Sequence, residues 1–141
     1  VIISHELNVI KKICNRVAVM TNGVIVEEGD VFDIFANPKH EFTKQLVSHT
    51  LNLELPENLS EYKNRKILKI VYRGERAKAP VISQTVRKFE VDLNVLHGKI
   101  EYITDKPLGI LLVSIEGKND ETLKAINYIK ESTAEVEILN G

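Results

Sequence analysis

Four histidines and one cysteine are the side chains best suited to acid–base, nucleophilic or metal chemistry near neutral pH. His5 has the most suggestive setting. It follows an apolar run and a serine (VIIS), and an amphipathic segment starts directly after it. On spacing alone it is a loop or helix-cap histidine, with a catalytic role as the lesser alternative. Glu6 beside it reads as a favourable charge in a first helical turn rather than as a base. His40, His49 and His97 lie far apart without a carboxylate pattern, so no metal site, zinc included, is expected. His97 is expected on the solvent or dimer face of a strand. Cys14 stands among Ile10, Ile13 and Val17 and reads as a small buried packing residue, not a reactive thiol. Asn94 reads as the start of a strand after a turn. No G-x-x-x-x-G-K-[ST] phosphate loop occurs, and no residue set here would hold Mg²⁺ beside a nucleotide.

The elements that must position these residues follow from composition and periodicity. With 43% hydrophobic and 28% charged residues in a chain of 141, a packed globular structure is expected. A net charge of −1 gives no general attraction to nucleic acid or anionic lipid, so any partner must be recognised locally. A single cysteine excludes an intramolecular disulfide and fits a reducing cytosol. The longest apolar run, GILLVSI at 109–115, falls far short of the roughly 18–20 residues a membrane helix needs. No export leader is read in the chain.

Residues 1–50 are expected to carry a strand end, a helix, a hairpin and a second helix. Val1–Ile3 read as the last piece of a buried strand, which suggests a fragment of a longer protein. Leu7, Ile10, Ile13, Cys14 and Val17 fall at helical spacing. Residues 17–20 and 24–26 flank Asn22-Gly23, the strongest short hairpin signal, because both residues tolerate positive φ. Asp30 can cap a short helix through Phe32, Ile34 and Phe35, which Asn37-Pro38 would stop. Residues 51–65 read as a linker, with alternating Leu51, Leu53 and Leu55 able to lie along a surface.

From 66 to 141 the order expected is β-α-β-β-α-β. The elements are a strand at 67–73, a helix opened by Pro80, strands at 93–104 and 108–116, a helix capped by Asn119, and a strand at 135–139. Asp105-Lys106-Pro107 would form the loop of the central hairpin. This is an α+β class fold in the split-βαβ or ferredoxin-like arrangement, with two helices on one face of an antiparallel four-stranded sheet. Such a unit of about 75 residues buries a modest core, so its open face, expected to carry Val71, Val113 and Ile115, would gain from dimerisation. Scattered exposed apolar residues are the plainer alternative.

The stretch VIISHELNVIKKICNRVAVMTNGVIVEEGDVFDIFANPKHEFTKQLV resembles the C-terminal end of an ABC-type ATPase domain, an α/β P-loop-type domain. In that family a strand ends at a Thr/Ser-His-Glu/Asp switch histidine. A helix, an ICDRVAVM-like strand, an xxGxIVExG hairpin and an NPxHPxT segment then follow. Ser4, Asn15 and Glu41-Phe42 depart from the commoner residues, and none removes the histidine. Residues 67–139 resemble the NIL domain, through APVISQTVRKF, NVL, GILLVSIEG and VEIL. The two in this order resemble the ATP-binding subunits of methionine-type ABC importers.

The resemblance implies residues 1–50 as the end of an ATPase domain, 51–65 as a linker and 66–141 as a regulatory domain. It implies His5 as a contact of the ATP γ-phosphate in an intact ATPase that uses ATP and Mg²⁺. The 141 residues alone are expected to be inactive and to need no cofactor of their own. It further implies methionine as an effector that slows transport, with Asn94, Val95 and Leu96 as ligand contacts. A homodimer, a membrane permease subunit and an extracytoplasmic methionine-binding protein are the implied partners, without nucleic acid. The implied location is the cytoplasmic face of the membrane. The alternatives are a ferredoxin-like sensor or dimerisation module for another small ligand, and a stand-alone interaction protein.

Overall fold

The computed structural model describes residues 1–52, 57, 59–62, 64–73, 79–133 and 135–140. The chain divides into two compact units, one of residues 1–55 with 101–107, the other of residues 56–100 with 108–141. The expected turn at 74–78 and the alternation at Leu53 and Leu55 lie outside the described residues. Among the described residues no helix is long and apolar enough to cross a membrane.

In the first unit, helices α1 (Leu7–Ile13), α2 (Val31–Ala36) and α3 (Glu41–Thr50) accompany a hairpin of β1 (Arg16–Thr21) and β2 (Val24–Asp30). Asn22 and Gly23 turn it with φ of 52° and 76°, the paired positive values of a tight primed turn. The strands pair antiparallel from Val17↔Gly29 to Thr21↔Val24, with a register shift between Val19 and Met20. Val31, Ile34, Phe35, Val47 and Leu51 are buried. Val1–Ile3 form no strand within this chain and stand exposed, Ile3 at 95%. Two expectations fail here. The helix after His5 ends at Ile13, itself exposed, and Cys14 is its half-buried C-cap rather than a core residue. A third helix, α3, forms where only two helices were expected. His40 starts it, its Nδ1 accepting the Phe42 N–H at 3.1 Å.

In the second unit, after a 3-10 turn at Leu59–Tyr62, the elements run β3 (Lys66–Arg73), α4 (Val81–Lys88), β4 (Val91–Ile103), β5 (Lys106–Gly117), α5 (Asn119–Ser132) and β6 (Glu135–Ile138). The sheet order is β4-β5-β3-β6. Strand β3 pairs antiparallel with β5, from Lys66↔Ile115 to Arg73↔Leu108, and with β6, from Leu68↔Ile138 to Val71↔Glu135. The structure is therefore α+β with antiparallel sheets.

Leu68, Ile70 and Tyr72 of β3 share a face by their period of two. They form one buried cluster with Val113, Ile115, Val81 of α4, and Ala125, Ile126 and Ile129 of α5. Each fully buried aliphatic side chain contributes about 1.5–3 kcal/mol. Val113 and Ile115 thus point at the helices, not at the open face on which they were expected. Residues 108–115 are apolar in both parities, and nothing in the local pattern marks the inward one. Two buried hydroxyls answer their own helices: Thr85 and Thr133 donate to the carbonyls of Val81 and Ile129 at 2.7 Å each. Lys88 lies over the Tyr128 ring at 4.6 Å, and Phe89 meets that ring at 5.8 Å, which joins α4 to α5.

Small boundary differences have local causes. Thr104 and Asp105 turn the central hairpin at φ of 48° and 65°, so Lys106 and Pro107 already belong to β5 and not to a loop. Lys118, not Asn119, occupies the cap position of α5, and Asn119 is its first helical residue.

Candidate functional site

His5 lies in the short segment before α1 and is exposed. The Ser4 hydroxyl accepts the Glu6 N–H at 3.0 Å, closing a tight serine turn with His5 at its middle. Glu6 is the N-cap residue, and its carbonyl accepts the N–H groups of Val9 and Ile10 at 3.1 and 3.3 Å. The imidazole is thus carried on a local turn attached to α1, and that helix sets its direction. Seven residues make too short a helix to hold itself, so α1 depends on what touches it.

Two such contacts reach its C-terminal end. The Lys11 carbonyl is one of the four that a helix leaves without a partner inside itself. It accepts the Thr104 N–H at 2.9 Å. The Lys11 ammonium pairs with Glu101 at 2.9 Å, with side chains only 10% and 16% exposed. Lys106 also sits over the Phe32 ring at 5.8 Å. All of these residues belong to the first unit.

A second local brace lies at β2. The Glu27 carboxylate accepts the N–H groups of Lys39 and His40 at 2.9 and 3.1 Å, which fixes the start of α3. Burial opposes its ionisation most. The Thr43 hydroxyl, the amides of His40 and Lys39 and the Lys39 charge together outweigh that and hold its pKa below the usual glutamate value.

Asn94, Val95 and Leu96 sit inside β4, which runs from Val91, so Asn94 is not at the strand's start as expected. Strand β4 is an outer strand, with β5 as its neighbour in the sheet order. Asn94 and Val95 are both exposed, and Leu96 and His97 are both half-buried. A regular strand would alternate. Leu93 packs on the core cluster, and Gly98, five residues on, faces Leu111, which packs on the same cluster. The candidate triplet falls where this alternation is interrupted.

His97 lies just past it, and its Nε2 is shielded from solvent without a hydrogen-bond partner among the described residues. The Ser114 hydroxyl is buried in the same unpartnered way. The sequence offered no sign of either, since a histidine and a serine in strands are ordinarily wet.

At the strand's start, the Glu90 N–H donates to the Glu121 carboxylate at 3.1 Å, and Lys124 approaches the other oxygen at 3.1 Å. The Glu90 amide, then Lys124, hold Glu121 below its ordinary pKa, and Glu121 in turn raises that of Lys124. An open cleft of about 590 Å³ lies here, lined by residues 86–92 with Glu116 and Gly117. It does not include Asn94. The structure therefore keeps His5 and the Asn94–Leu96 triplet in separate units, and this cleft includes neither.

Comparison with known proteins gives the wider frame. "Methionine import ATP-binding protein MetN 2" of Salmonella typhimurium is 52% identical over 143 residues, covering 100% of this chain and 42% of that protein. "Methionine import ATP-binding protein MetN 1" of Oceanobacillus iheyensis is 42% identical over 139 residues, covering 99% of this chain and 41% of that protein. The chain thus spans less than half the length of the curated relatives it matches. The crystal structure of the C-terminal domain of an ABC transporter / ATP-binding protein from Enterococcus faecalis is similar at a TM-score of 0.52 and 29% identity. It covers 60% of this chain and 94% of that one. Residues 66–138 match the model of the NIL domain, and the chain belongs to the NIL domain family.

Proposed function

We propose that these residues form the C-terminal part of the ATP-hydrolysing subunit of a methionine ABC importer. The observation that carries this reading is a match to methionine import ATP-binding proteins that runs through both units, over 100% of the chain at 52% identity. In this reading residues 1–50 end the ATPase domain, 51–65 link, and 66–141 form the regulatory NIL domain. The strand order β4-β5-β3-β6, with α4 and α5 on one core, supports a ferredoxin-like arrangement for that domain.

The residues present do not make a nucleotide site by themselves, since they include no phosphate loop. His5 is a contributor. In the intact subunit its imidazole donates to the ATP γ-phosphate and orients the attacking water, and Mg²⁺ would be held by residues outside this chain. The serine turn and α1 hold the ring toward that site. The remaining partners are a membrane permease and an extracytoplasmic methionine-binding protein, with the subunit peripheral on the cytoplasmic face.

Methionine acts as effector at Asn94–Leu96. An exposed amide and the backbone groups of an outer strand can hold the ligand's ammonium and carboxylate, and Val95 and Leu96 can hold its thioether. The same edge suits a homodimer. Outer strands must be covered, and Val95 and Ile100 stand 51% and 65% exposed on this one.

Calorimetric titration of the full-length protein with methionine and other amino acids tests the reading. Heat with methionine, lost in Asn94→Ala, is expected. Heat with a different amino acid would favour a sensor of that ligand. A dimer by light scattering without heat from any amino acid would leave a dimerisation module.

A further inference from the structure

The geometry points to Glu101 and Thr104 as positioning residues for His5, acting through α1. This rests on the proposed role of His5. The helix that carries His5 is seven residues long, and its C-terminal end is met by the tip of the β4–β5 hairpin. The Thr104 N–H, 2.9 Å from the Lys11 carbonyl, supplies the partner that the last helical turn lacks. Glu101 holds the Lys11 ammonium at 2.9 Å in a nearly water-free setting, where losing one partner leaves a buried charge.

The Thr104–Asp105 turn is tight, with both φ positive, so the Thr104 N–H is held on a fixed backbone. Loss of the Glu101 or Thr104 contact therefore frays the last turn of α1.

The test compares the full-length wild type with Glu101→Gln and with the exchanged pair Lys11→Glu/Glu101→Lys. Hydrogen exchange across Leu7–Ile13 and steady-state ATP hydrolysis are the readouts, with protection of β3 and β5 as the folding control. In Glu101→Gln, exchange in α1 is expected to rise about tenfold or more, with β3 and β5 unchanged. Its kcat is expected to fall several-fold at an unchanged KM for ATP, and the exchanged pair is expected to recover most of both. Unaltered α1 exchange in a folded Glu101→Gln protein overturns the inference. So does a fall in kcat that the exchanged pair does not recover while its α1 exchange returns to normal. If the wild type neither hydrolyses ATP nor binds methionine, the proposed function fails, and the exchange comparison still decides whether the hairpin tip holds α1.

Discussion

Gly98 lies so close against Leu111 that a Cβ on the glycine would stand 2.8 Å from the leucine Cδ2. Gly117 is tighter in kind, because its Cβ would meet the Glu90 carbonyl oxygen at 2.9 Å and Val91 at 3.0 Å. A leucine methyl can rotate away, whereas a backbone carbonyl cannot. Gly98→Ala is expected to destabilise by about 1 kcal/mol, and Gly117→Ala by about 2–3 kcal/mol. Urea denaturation gives the order, and equal midpoints for the two variants would contradict it.

Glu27 ties β2 to the start of α3 through the amides of Lys39 and His40. Its pKa is lowered in the folded protein, so its contribution is present above the unfolded value near 4.5 and is lost as pH falls below it. Glu27→Gln is expected to cost about 1 kcal/mol at neutral pH, as a lost helix cap does. It should also make the acid transition of the first unit shallower. Hydrogen exchange at the α3 amides between pH 6 and about pH 3 checks both.

Burial pushes the Tyr72 phenol up to about 12 from its ordinary value of 10.0. As pH rises past about 10, unfolded chains release this proton while folded ones retain it, so stability falls until about pH 12. Tyr72→Phe keeps the ring in the core cluster and removes this proton. Its urea midpoint should decline less than the wild type's over that alkaline range. Parallel declines would show that Tyr72 is not a source of the loss.

Asn140 spans two backbone groups of the β3 side: its Oδ1 accepts the Ile67 N–H and its Nδ2 donates to the Arg65 carbonyl, both at 2.7 Å. One group needs an acceptor and the other a donor, and the amide supplies both from two separate atoms. Asn140→Ala is expected to cost about 1 kcal/mol. Asn140→Asp should cost at least as much, because a carboxylate oxygen would then face the Arg65 carbonyl. Exchange of the Ile67 amide separates them, rising in Ala and staying slow in Asp.

How much of this could be read from the residues depends on how local the cause is. Asn22-Gly23 and the β1–β2 hairpin were legible because two adjacent residues carry the whole signal. The sheet elements from 66 onward were legible in kind and order from period and punctuation. Which side Val113 and Ile115 face was not, since both parities of that strand are apolar. Thr104–Asp105 escaped as a turn because threonine rarely takes positive φ. His5 and Asn94 were visible as residues of interest from their family motifs. The contacts of Lys11 were not, because they join residues distant in sequence and leave no periodic trace.

The register of β6 on β3, Leu68 opposite Ile138 and Val71 opposite Glu135, also sets an order of events during synthesis. Strand β3 is the first strand of its unit to be made, yet one of its two edges has no partner until residues 135–138 emerge. A nascent chain therefore carries an unsatisfied apolar ladder for most of the time this unit is being made. That interval is when a neighbouring nascent chain, or a chaperone, competes for the place of β6.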